Sequence, residues 1–136
     1  MKILDWNEYH GYIDKLAEQI KNSSDSYKYL FGANTDDLVV AAHLSHKLNI
    51  PMVTDVSLLT FLYNVDPNEE DLLVVANVVH TGKTIKSVME QLKCTFDTAV
   101  LFKDSACTFT PTYYVHIPLK IIVFPWEDVK NINRKG

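Results

Sequence analysis

A chain of 136 residues that is 47% apolar and 22% charged, with a net charge of -4, has the make-up of one globular domain spanning residues 1–136. The charge balance excludes nucleic-acid binding through a broad basic face. No apolar run reaches the roughly 20 residues that cross a bilayer, so a membrane partner is excluded too. Two cysteines, Cys94 and Cys107, without CxxC spacing, exclude a disulfide framework and point to a reducing cytoplasm.

Along the chain, "MKILDWNEYHGYIDKL" has too short an apolar stretch for a signal peptide. Tyr9, Ile13, Leu16 and Ile20 recur at helical spacing and predict an amphipathic helix over residues 6–22. "NSSDS" breaks it, and "YKYLFG", Tyr27 to Gly32, reads as a first strand. "DDLVVAAHLSHKL" predicts a second helix, with Asp36 and Asp37 suited to its positive end. "IPMVTD" is a short second strand, with Pro51 at its start, where a missing N–H matters least. "VSLLTFLYNVDPNEE" leaves a short strand and a helical turn both open, and "DPNEE" reads as a charged turn. "DLLVVA" is a third strand, Leu72 to Ala76, apolar enough to be buried on both faces. Ile85, Val88, Met89 and Leu92 then give a third helix one apolar stripe; "TAVLFK" is a fourth strand, and "YYVHI" and "KIIVF" are two more candidates. Strands alternating with helices predict an α/β fold, a parallel sheet with helices on both faces.

Ligands of such sheets bind beyond the carboxyl ends of the strands. The turn His80-Thr81-Gly82-Lys83-Thr84 lies at one of those ends, ahead of a helix. Free N–H groups at a helix start make a phosphate cradle. Gly82 lets the backbone approach an anion, Thr81 and Thr84 add hydroxyls, and Lys83 adds charge. A P-loop is ruled out, because the glycine it needs five residues before Gly82 is Asn77. Taken alone, the turn fits a phosphate site and an ordinary threonine-capped strand–turn–helix equally well.

Three blocks decide between these. "GANTDDLVVAAHLSHKLNIPMV", "TAVLFK" and "PTYYVHIPLKIIVFPWED" stand in order around "HTGKT". Together they resemble the type I phosphoribosyltransferases, most of all the small hypoxanthine, guanine and xanthine enzymes. The resemblance implies that fold with a small C-terminal hood, and transfer of ribose 5-phosphate from phosphoribosyl diphosphate (PRPP) to a 6-oxopurine. It implies a nucleotide, PRPP or purine base as partner, Mg²⁺ as candidate cofactor with its protein ligands unknown, and a homodimer. By position it puts the 5′-phosphate on residues 80–84, the base against Lys103, Ile121 and Ile122, and the ribose beside Ala76 and Asn77. His80, where many members carry an aspartate, becomes a candidate acid or base.

The departures from the family pattern fall on those same positions. Ala76 and Asn77 replace two acids. Thr35, Asp36 and Asp37 replace the Arg-Gly-Gly of the diphosphate loop, and carboxylates repel a diphosphate unless a metal bridges them. Ile121 stands where an aromatic ring usually stacks, and the segment between the second and third strands is short for a mobile flap. Three readings follow: an active purine phosphoribosyltransferase, an impaired homologue that binds a nucleoside monophosphate or sugar phosphate, and a different reaction with a metal on Asp36 and Asp37.

Overall fold

The computed structural model describes residues 1–65 and 71–131. Among the described residues, four α-helices and seven strands run in the order β1 (Lys2–Ile3), α1 (Trp6–Asn22), β2 (Tyr29–Gly32), α2 (Thr35–Leu48), β3 (Met52–Val53), α3 (Val56–Val65), β4 (Leu72–Val79), α4 (Lys83–Leu92), β5 (Asp97–Lys103), β6 (Tyr113–His116) and β7 (Ile122–Val123). The main sheet is parallel throughout, in the order β3-β2-β4-β5-β6. Its central strand, β4, is buried along nearly its whole length, as its unbroken apolar run requires.

The sheet separates two apolar clusters. On one face Leu73, Val75, Ala99 and Leu101 meet the stripe Tyr9, Ile13, Leu16 and Ile20 of α1 and Val40, Ala41 and Leu44 of α2. On the other face Val74, Ala76 and Val100 meet Leu59 of α3 and Ile85 and Val88 of α4. Residues one apart on a strand thus feed opposite layers, which is the period of two expected of a doubly covered sheet.

Local sequence accounts for the helix starts. Asp5 accepts the Glu8 amide while the Glu8 carboxylate accepts the Asp5 amide, a reciprocal cap on α1. Asn34 caps α2 by accepting the Asp37 amide at 3.0 Å, and Asp55 Oδ1 accepts the Ser57 amide at the start of α3. Gly32 ends β2 at a tight junction: a Cβ there would meet the backbone of Asp37 and Leu38 at 2.8 Å.

The structure corrects the sequence reading in four places. The segment left open between a short strand and a helical turn is α3, of ten residues, held down by Leu59. The third strand runs on through Asn77 and Val78 to Val79, because Val78 and Val79 pair with Phe102 and Lys103 of β5. The first strand begins at Tyr29; Tyr27 precedes it and sends its hydroxyl to Asp97 and Tyr113. An unexpected strand, β1, pairs in parallel with β7 and makes the hood a two-stranded sheet. The charged turn "DPNEE", residues 66–70, lies outside the described residues.

Candidate functional site

The carboxyl ends of β2, β4 and β5 bring together the Gly32–Asp37 junction, the His80–Thr84 turn and the loop that starts at Asp104. The second of these turns differs from the other helix starts. Gly82 occupies the N-cap of α4 with φ +81°, a left-handed conformation, and supplies no side-chain cap. The first turn of α4 holds no acidic residue and begins with Lys83, while α1 and α2 carry Glu8 and Asp36 with Asp37 at theirs. A cation at the positive end of a helix opposes the macrodipole. An anion bound there would remove that conflict.

The Lys83 amide makes a long 3.3 Å bond to Thr81 Oγ1. The Lys86 amide makes the first helical bond, to the Gly82 carbonyl at 2.9 Å. The amides of Thr84 and Ile85 precede that ladder. Thr81 Oγ1 is an acceptor in this arrangement, so its hydroxyl hydrogen remains available as a donor. Phe109 walls the turn: a Cβ on Gly82 would meet the Phe109 Cβ at 2.9 Å.

Two cavities flank the turn. One, of about 190 Å³, is lined by Val78, His80 and Asp104 from the sheet side and by Leu119, Ile121 and Ile122 from the hood. The other, of about 400 Å³, is lined by Ala33, Val56, Lys83, Thr84, Ser87 and Gln91. The first residue of the turn thus faces one cavity and the last two face the other.

Of the other expected residues, Ile121 and Ile122 share the hood cavity with His80, while Lys103, Ala76 and Asn77 do not line it. Lys103 donates its ammonium to the Cys107 carbonyl at 3.1 Å and is not among the residues lining the hood cavity. Ile122 is buried opposite Lys2, and Ile121, half exposed, has its carbonyl taken by the Lys2 amide at 2.8 Å. Ala76 is buried in the layer under α3 and α4. Asn77 is also buried; its Oδ1 accepts the Val78 amide at 2.7 Å, and its Nδ2 has no partner among the described residues.

The acids of the β2–α2 junction are spent on structure. Asp37 is 3% exposed and accepts the Asn77 amide at 3.1 Å. β2 pairs with β4 only as far as Gly32 and Val75, so the carboxylate continues the hydrogen bonding where the neighbouring strand has stopped. Burial pushes the Asp37 carboxyl up to about 7, with the Asn77 and Asn34 amides pulling the other way. Asp36 accepts the indole N–H of Trp126 at 3.0 Å and ties α2 to the hood. The expected repulsion of a diphosphate by both carboxylates is therefore corrected: one is turned into the core and the other toward Trp126. The same geometry gives the two carboxylates different partners, Asp36 the Trp126 indole and Asp37 the Asn77 amide. Nearby, Ala76 has no ligand atom, Asn77 Oδ1 accepts the Val78 amide, and among the described residues no three His, Cys, Asp or Glu side chains converge.

Sequence reasoning missed Asp104 and Phe109. Asp104 was detectable in "KDSAC", an aspartate-started turn at a strand's carboxyl end. Cys94 and Cys107 are both free thiols, and among the described residues no helix is long and apolar enough to cross a membrane.

No protein-family model matches the sequence. Solved structures do. A purine phosphoribosyltransferase from Pyrococcus horikoshii is 25% identical over 98% of both chains, with a TM-score of 0.75. A xanthine-guanine-hypoxanthine phosphoribosyltransferase from Helicobacter pylori is 17% identical over 96% of both chains, at 0.73. A hypothetical protein from Neisseria gonorrhoeae, solved with bound ppGpp, is 18% identical over 95% of this chain and 91% of its own, at 0.76. With five parallel strands covered on both faces and a hood over the carboxyl ends, the chain has the type I phosphoribosyltransferase fold.

Proposed function

We propose that this chain binds a purine nucleoside monophosphate, with the 5′-phosphate on the amides and hydroxyls of residues 80–84 and the base in the hood cavity between His80 and Ile121. One observation carries the reading. The start of α4 has a left-handed glycine, no side-chain cap, no acid and a lysine in its first turn, all of which suit a bound anion. A phosphomonoester is the anion of choice, because the neighbouring junction offers a diphosphate no arginine and no second glycine after Gly32.

Transfer of ribose 5-phosphate from PRPP to a 6-oxopurine is the second reading. Its support is the match to the Pyrococcus horikoshii purine enzyme over nearly the whole of both chains. In this reading His80 touches the base and handles its proton, and the turn holds the phosphate through transfer. The loss of acids at Ala76 and Asn77 makes that transfer slow.

Calorimetry with IMP, GMP, ppGpp and PRPP separates the two. Monophosphates bound at micromolar to low millimolar strength, with PRPP no tighter, support the binding protein. PRPP bound at least tenfold tighter than IMP, with diphosphate released in the presence of hypoxanthine, supports the transferase. No binding of any of the four by folded protein contradicts both.

A further inference from the structure

The His80–Thr84 turn has little of its own to hold it. Lys83 donates only a long 3.3 Å bond to Thr81 Oγ1, and the Lys86 bond to the Gly82 carbonyl, at 2.9 Å, belongs to the helix that follows. Gly82 brings no side-chain cap, and a glycine populates both hands of backbone about equally. Nothing in the turn itself selects the left-handed φ of +81°. We propose that the loop after β5 selects it. Lys103 pins that loop through the Cys107 carbonyl, the loop sets Phe109 against Gly82, and Lys103 and Phe109 are thus positioning residues of the phosphate turn. This deepens the phosphate half of the reading above and rests on it.

The links run from strand to turn. Lys103 ends β5, where it pairs with Val79 of β4. Its ammonium donates to the Cys107 carbonyl at 3.1 Å, a charge-assisted bond and so stronger than a neutral one. The Cys107 amide donates to the Asp104 carbonyl at 3.0 Å, and Asp104 Oδ1 accepts the Ala106 amide at 2.9 Å. The Asp104 amide returns to the Val79 carbonyl at 2.9 Å, while Asp104 Oδ2 lies 3.2 Å from His80 Nδ1. The buried Cys107 thiol donates to the Phe109 carbonyl at 3.5 Å. Phe109 packs on the apolar cluster between the sheet and α3 and α4. A Cβ on Gly82 would point at this side chain, 2.9 Å from its Cβ and 3.2 Å from its Cγ. The amide and carbonyl of Gly82, the other substituents of that tetrahedral carbon, therefore point away from Phe109.

Lys103 thereby has a different role from the base contact that the resemblance implies. It does not line the hood cavity, and its ammonium is turned to the loop. A base contact strengthens only ligands that carry a base. A brace acts on the phosphate, whatever the phosphate is attached to. A turn already held in its binding form loses less conformational freedom when the anion arrives. Without the brace Gly82 regains both hands, and every phosphomonoester is weakened by the same factor.

Calorimetry of Lys103→Met with IMP and with ribose 5-phosphate, which has no base, tests this. Methionine keeps an apolar stem and deletes the donor. Both affinities should fall by one common factor, at least fivefold, in protein shown to be folded. IMP weakened while ribose 5-phosphate stays within twofold of wild type makes Lys103 a base contact and overturns the proposal. Both affinities unchanged overturn it too. The contact at the other end is read by urea unfolding of Gly82→Ala, Phe109→Ala and the double variant. Gly82→Ala should cost less stability once residue 109 is alanine, and additive costs overturn the contact. Wild type that binds neither ligand contradicts the phosphate reading instead. The brace is then read in the free protein, where the Gly82 ¹H–¹⁵N resonance should move in Lys103→Met; a resonance left in place overturns it.

Discussion

Gly82 and Asp37 show how single residues build this site. At φ +81° a Cβ costs about 1–2 kcal/mol, and here it would also strike Phe109 at 2.9 Å. Gly82→Ala is expected to lower stability by at least that amount and to abolish measurable phosphate binding, as read by urea unfolding and calorimetry. Asp37 works in the opposite sense. Its folded pKa, about 7, lies above the ordinary value for an aspartate, so the folded protein holds a proton that the unfolded chain releases. That contribution is present below pH ~4 and is lost as pH rises to about 7. Asp37→Asn keeps an acceptor for the Asn77 amide and removes the buried charge. Denaturation between pH 4 and 8 should therefore show a flatter profile and a gain on the order of 2–4 kcal/mol at pH 8. An unchanged profile would mean that the carboxyl is ionised and compensated. The sequence placed Asp37 correctly in the first turn of a helix. Whether that carboxylate faced a ligand or the core depended on where β2 stops relative to β4, which no local pattern encodes.

At the scale of elements, period and caps were the legible part. The stripe of α1 and the apolar runs of β4 and β5 fix type and face because each buries a continuous surface. Two-residue strands carry no such signal. β1 exists only because its amides find the hood: Lys2 donates to Ile121 and Leu4 to Val123. The stretch that became α3 is apolar on too many positions for its period to be read; its packing, with Leu59 fully buried and Val56 against the same cluster, decides it. The hood is fastened to α2 through Trp126, whose ring stacks on Phe124 with centroids 4.9 Å apart and whose N–H reaches Asp36. Trp126→Phe keeps an aromatic stack and deletes the donor. A loss of about 0.5–1.5 kcal/mol in urea midpoint analysis is expected, and no loss would show that the clasp is made by stacking alone.

For the whole molecule, one strand order explains both stability and site. β4 lies between β2 and β5 and under both helical layers, while the hood sheet has only two strands. Amide exchange should accordingly be slowest in β4 and β5 and fastest among the strands in β1 and β7; equal protection would contradict two separate sheets of unequal support. The same order sets three carboxyl ends side by side, so the turn after β4 is flanked by the β2–α2 junction and by the loop after β5. The phosphate turn could be read from "HTGKT" because its chemistry is local. That Asp104 and Phe109 meet this turn could not be read, because they come to it from the loop after β5. The most direct measurement is a ¹H–¹⁵N titration of the labelled protein with IMP. Large shifts of the Gly82 and Thr84 amides, saturating as IMP binds, are predicted; those amides unmoved at millimolar IMP in folded protein would contradict a phosphate cradle at the start of α4.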